Sequence, residues 1–125
     1  MPTQPNGDSD MTTNDAKTSD GIDASEVLDT LEIKKVQRRT SAGGAWVRGT
    51  IAGHRFEALV FPEHATNREW EVGGDSRISK LWVERISDRT TAYNWDRGAD
   101  VEPATEIAGV IVDLLAAGLA ETIWA

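Results

Sequence analysis

Tyr93-Asn94-Trp95-Asp96-Arg97-Gly98 sets an aromatic ring, an amide, an indole, an acid, a base and a glycine in consecutive positions. These types serve recognition rather than bond-making. Tyr and Trp faces stack against a ligand ring or a partner side chain, while Asn94, Asp96 and Arg97 fix polar contacts. The plainer alternative is a strand end where Trp95 fills core and Asp96 pairs with Arg97 or caps the coming helix. Trp70, in a long connection, and Lys80, a second cation, complete the expected binding set of Trp70, Lys80, Tyr93, Asn94, Trp95, Asp96 and Arg97. Arg48, Arg68 and Arg97 each stand two residues from a Trp, which makes stacked guanidinium groups available.

No comparable set exists for catalysis. Of the two histidines, His64 adjoins Glu63 but has no second ligand at i+3 or i+4, and His54 sits in a hairpin turn; both read as solvent-facing loop residues. Ser79 and Lys80 are adjacent, and adjacent side chains on a strand point to opposite faces, so they cannot share a proton. Asn94, Asp96, Gly98, Asp100 and Glu102 alternate as calcium ligands do. Counted from Asn94, however, the sixth and twelfth positions hold Ala99 and Thr105, where an EF-hand loop wants Gly and Glu. Without cysteine there is no thiolate ligand, nucleophile or disulfide. The expectation is a non-enzymatic protein without metal or cofactor.

The elements that must carry the binding set can be read from hydrophobic patterning. Asp23-Ala-Ser-Glu26 has capping-box spacing and predicts a short helix, followed by a strand over about Leu31–Arg39. Ala45–Ile51 and Arg55–Phe61 read as a hairpin around Gly53, ended by Pro62. The connection Glu63–Arg77 holds a short extended piece, Arg68–Val72. Ile78–Ile86 and Arg89–Trp95 form two more strands, with Trp82 in the core. Ile107, Val110, Ile111, Leu114 and Leu115 follow at i, i+3, i+4, i+7 and i+8, predicting a helix with Pro103 in its first turn and Gly118 as its cap. The fold class is therefore α+β: an antiparallel β-meander of about five strands with one C-terminal helix packed on one face.

The chain has 125 residues and a formal charge of −8, room for one domain. Residues 1–24 hold five Asp and one Lys with a single branched aliphatic, the composition of a disordered acidic tail. Residues 25–125 form the expected single domain. They hold 16 acidic and 12 basic residues, so the folded part carries half of the net charge. The acidic balance disfavours nucleic acid. No apolar run reaches membrane-spanning length and no signal pattern opens the chain, so a cytoplasmic protein is expected. One basic cluster, Lys34, Lys35, Arg38 and Arg39, fits an acidic partner, a nucleic acid, this protein's own acidic tail, or a solvated strand edge whose charges discourage unwanted pairing.

Trp46-Val-Arg-Gly-Thr-Ile51, Arg55-Phe-Glu-Ala-Leu-Val-Phe61, Arg77-Ile-Ser-Lys-Leu81 and Tyr93-Asn-Trp-Asp-Arg-Gly98 resemble a domain-of-unknown-function family of short bacterial, phage and prophage proteins. The resemblance spans about Trp46 to Leu115. It departs where Asn94-Trp95 intervenes between Tyr93 and Asp96, and where Ala99 follows Gly98 in place of the usual Trp. It implies a mobile-element setting and no particular activity.

Five Trp against two Phe and one Tyr favour a recognition surface on a small scaffold. The functional expectation is a protein–protein interaction module, an accessory or inhibitor protein, with a face built from Trp70, Trp95, Arg97 and the Glu63–Arg77 loop. The alternative is a binder of a nucleotide-like or anionic small molecule, stacked on Trp95 and held by Arg97 and Lys80. Homodimerisation is compatible with both, through Val112 and Trp124 beyond the main helix stripe and through open strand edges.

Overall fold

The computed structural model describes residues 22–124, so the expected tail lies outside the described residues except for its last three. Those three belong to the fold. Ile22 packs on the core, and the Asp23 carboxylate caps a short helix α1 (Ala24–Asp29) by accepting from Ser25 N at 3.0 Å. Six strands follow in chain order: β1 (Glu32–Arg38), β2 (Ala45–Ile51), β3 (His54–Val60), β4 (Ile78–Arg85), β5 (Thr90–Asp96) and β6 (Ala99–Val101). Each pairs antiparallel with the next, giving one open meander. A long helix, α2 (Glu106–Ile123), closes the chain. The α+β class is as expected, with one strand more. The extra strand, β6, is three exposed residues with no alternation to reveal it; only pairing with β5 makes it a strand.

Register sorts the side chains into two faces. Val47, Ala58 and Leu81 lie opposite one another across β2, β3 and β4, as do Gly49, Phe56 and Val83. This face is buried beneath α2, which contributes Ala108, Ile111, Val112, Leu115, Leu119, Ala120 and Ile123. The alternate residues form a face that no helix covers. There Trp46 lies opposite Leu59, Glu57 opposite Trp82, and Lys80 opposite Asp96. Trp82, expected in the core, therefore stands half-exposed on the uncovered face.

Four other expectations are corrected. Arg68–Val72 is not extended: single 3-10 turns occupy Arg68–Trp70 and Val72–Gly74, the first capped by the Asn67 side chain accepting from Glu69 N at 3.0 Å. Helix α2 begins after Thr105, whose hydroxyl accepts from Ala108 N at 3.1 Å, so Pro103 lies ahead of the first turn. Gly118 is interior rather than a cap. Leu119, Ala120 and Ile123 continue the buried stripe, and that burial outweighs the ~1 kcal/mol that an interior glycine costs. His54 is buried rather than solvent-facing, with Nδ1 2.8 Å from the Ala52 carbonyl. The β2–β3 turn places both Ala52 and Gly53 at positive φ, the two-residue hairpin geometry that fits strand twist.

Val112 and Trp124 are engaged within the molecule. Val112 is buried, and the Trp124 indole donates to the Val60 carbonyl at 3.2 Å beneath the Arg38 guanidinium, 5.0 Å from its ring. Neither offers the free apolar surface on which the dimer expectation leaned.

Candidate functional site

The 62–77 connection runs from the end of β3 to the start of β4, with Val72 in the core shared with α2 and Trp70 exposed near Leu59 and Lys80 at the edge of the uncovered face. Between the connection and that edge lies a groove of about 570 Å³. Leu59 and Phe61 line it from β3 and the residues after it, Lys80 from β4, Trp70 and Arg77 from the connection, Arg39 from the segment after β1, and Arg97 from the end of β5.

The connection keeps its shape around one buried carboxylate. Glu71 is only 2% exposed. It accepts from the Ala65 and Arg77 backbone amides and meets His64 Nδ1 at 3.0 Å. Burial pushes this carboxyl up, but the hydrogen bonds from His64, Ala65 and Arg77 outweigh it and hold the group below the ordinary glutamate value. The Arg77 guanidinium donates to the Pro62 carbonyl at 2.7 Å and to Glu121 on α2 at 3.2 Å, tying the connection to the helix. Arg77 and Arg97 both hold left-handed backbone, at φ 63° and 56°. Each pays a local strain of about 1 kcal/mol, and each has its amide hydrogen bonded, Arg77 to Glu71 and Arg97 to the Ser79 carbonyl at 3.0 Å.

Two guanidinium–aromatic pairs line the groove. Arg97 lies over the Trp70 ring at 5.7 Å, and Arg39 lies over Phe61 at 5.7 Å. Arg97 thus stacks on the Trp distant in sequence rather than on Trp95, two residues away. Trp95 packs from the helix side, half-buried against the core. Its indole donates to the Trp70 carbonyl at 2.8 Å and so positions Trp70. Asp96 sits at the rim, 3.8 Å from Lys80 Nζ and 3.9 Å from Arg97 Nε.

Of the seven residues proposed from sequence, Trp70, Lys80 and Arg97 line this groove, with Asp96 and Trp95 adjoining. Asn94 lies on the uncovered face opposite Trp82, one row away. Tyr93 is absent from the site: it is buried on the helix face. Sequence reasoning missed Arg39, Phe61, Glu71 and Arg77 as a group. Glu71 stands seven residues from His64, beyond any local ligand spacing, and only the paired 3-10 turns bring it back.

Tyr93 supplies a probe of the core beneath the site. Burial pushes its phenol up to about 12, reinforced by the charges of Glu102 and Asp113. The fold therefore favours the neutral phenol. That stabilisation is complete below the unfolded value of about 10 and is lost as pH rises towards about 12. Because the chain has one Tyr, tyrosinate absorbance reads this group alone. Its midpoint is expected near 12, with the urea midpoint falling over the same interval; a midpoint at the ordinary value would contradict this burial.

Among the described residues, no group of His, Asp and Glu could hold a metal ion, and no helix is long and apolar enough to cross a membrane. No curated protein and no solved structure matches the chain. A family model does match residues 45–120, from the start of β2 to the last turn of α2, and it spans most of the groove. The chain belongs to the family described as Domain of unknown function (DUF7678).

Proposed function

We propose that the protein is a non-catalytic protein–protein interaction module, anchored at the groove between Trp70 and Arg97. The observation that carries this reading is the convergence of two guanidinium–aromatic pairs, Arg97 with Trp70 and Arg39 with Phe61, on one groove. Trp and Arg dominate binding hot spots because a rigid ring and a pre-organised fork lose little entropy on contact. The non-catalytic part of the reading rests on Glu71. Its oxygens are committed to His64 and two backbone amides, so this buried carboxylate is not poised as a base. Arg over Lys by nine to four and 15 Ala support a high-GC bacterial or phage source, and we extend the proposal to an accessory or inhibitor role in the cytoplasm.

The test replaces Trp70 with a photo-crosslinking amino acid in full-length protein. Ile86, equally exposed but distant in the fold, serves as the control position. A discrete adduct at position 70, reduced by Arg97→Ala, is expected. Identical adducts at both positions, or none, would overturn the proposal.

A second reading is a nucleotide-like or anionic small molecule held by Arg97 and Lys80 with its ring near Trp70. The groove volume favours it, since ligand pockets span roughly 300–1,000 Å³. A rise in melting temperature with millimolar nucleotide, abolished by Arg97→Ala, is its expected signature; an unchanged melt removes it.

A further inference from the structure

We infer that the partner segment seated in this groove is acidic: an extended peptide whose carboxylates meet Arg97, Lys80 and Arg39 and whose neighbouring apolar side chain lies on Leu59, Phe61 and Trp70. This rests on the protein-binding reading above and adds the partner's chemistry.

The first ground is charge. Arg39, Arg77, Lys80 and Arg97 line the groove against Glu63 and Glu71, in a chain whose net charge is −8. The site is a positive patch on an acidic molecule. An anionic segment is therefore repelled by the chain as a whole and attracted here, which gives register as well as affinity.

The second ground is unsatisfied valence. Lys80 and Arg97 share the single Asp96 carboxylate, at 3.8 and 3.9 Å, beyond hydrogen-bonding distance. The Arg97 guanidinium makes no side-chain hydrogen bond to the described residues. Packed over Trp70, it is pre-oriented while its N–H groups remain available for a carboxylate fork. Arg39 lies over Phe61 and is more engaged than Arg97, donating Nε to the Gly43 carbonyl at 2.7 Å and a terminal nitrogen to the Ala42 carbonyl at 3.4 Å, but it too has no carboxylate partner among the described residues. Arg77 differs, since Pro62 and Glu121 already occupy its guanidinium.

The third ground is the floor. Leu59 is buried, and Phe61 and Trp70 add partly exposed rings, so an all-polar ligand would leave apolar surface wet. A nucleic acid is the poorer fit, because three available cations release few counterions.

The experiment titrates isotopically labelled full-length protein with a blocked pentapeptide of four glutamates around a central leucine. A lysine counterpart and sodium phosphate at matched ionic strength are the comparators. The acidic peptide is expected to shift the Trp70, Lys80 and Arg97 amides and the Trp95 indole N–H saturably. Arg97→Ala should weaken it about fivefold or more, Arg97→Lys less, and about 0.5 M salt about tenfold. An unchanged melt of Arg97→Ala confirms that the variant is folded. Absence of a saturable shift overturns the inference. So does equal saturation by phosphate, which reassigns the groove to small anions, or self-association lost in Arg97→Ala, which reassigns it to a second copy. If the Trp70 crosslink forms while the acidic peptide fails, only the partner chemistry is wrong; if the peptide binds and no crosslink forms, the protein-binding reading is the one that fails.

Discussion

Gly49→Ala is expected to destabilise the protein by about 3 kcal/mol, a large share of what a small domain holds. The backbone conformation of Gly49 is not the reason, since it is an ordinary strand position on β2. The reason is space. A β-carbon there would lie 2.3 Å from the Glu32 carbonyl oxygen and 2.8 Å from the Phe56 ring. Phe56, the cross-strand neighbour of Gly49, is buried at 2% exposure and fills the volume that the missing side chain leaves. Strand β1 also approaches closely there, with Ile33 paired to Gly49 beside a register shift. Trimming the ring in Gly49→Ala/Phe56→Leu should not rescue stability, because the Glu32 oxygen is backbone and moves only with its strand. Urea unfolding of both variants checks this. A single-mutant midpoint equal to that of the parent would refute the close packing of β1 on β2. The effect reaches the site, since β1 leads directly into Arg39.

Glu71→Ala is expected to cost a similar amount, about 3 kcal/mol, because it strands buried polar groups rather than merely deleting a contact. The Ala65 and Arg77 amides lose their acceptor, and His64 loses its partner. Arg77 also loses the bond that helps hold its left-handed backbone. The damage should concentrate in the connection. Amide exchange at Ala65 and Arg77 should accelerate, and the groove should lose Trp70 and Arg77 as fixed walls, while α2 and the sheet keep their protection. Acid provides the same test without mutation. The Glu71 carboxyl is depressed in the fold, so its stabilising contribution is full above the ordinary carboxylate range and is lost as pH falls through the depressed native value. Glu71→Gln should remove that part of the acid dependence. A parent and a Gln variant with identical stability–pH curves would show that the carboxylate does not organise this loop.

How legible the site was depended on the range of each interaction. β2 could be read to the residue, since alternation there is enforced by burial on one face only. Helix α2 was recognisable from its stripe, but its end was not. Gly118 carries a local stop signal that the burial of Leu119 and Ile123 overrides. Trp82 was misplaced because Leu81 and Val83 flank it. Alternation shows that neighbours lie on opposite faces, and only the position of α2 shows which face is covered. Trp95 drew attention through its place beside Asp96 and Arg97. The fold instead turns its ring to the helix side and gives the groove to Trp70, 25 residues away.

By itself the sequence determined the α+β class, the succession of strands and final helix, and the absence of cysteine chemistry, because hydrophobic period and composition are local properties. Tertiary structure alone decided which tryptophan meets Arg97, that Glu71 rather than either histidine organises the connection, and that Arg39, Lys80 and Arg97 converge on one groove. Those outcomes follow from strand register and from the path of the 62–77 connection. Both are set by burial across the whole sheet rather than by any neighbouring residue.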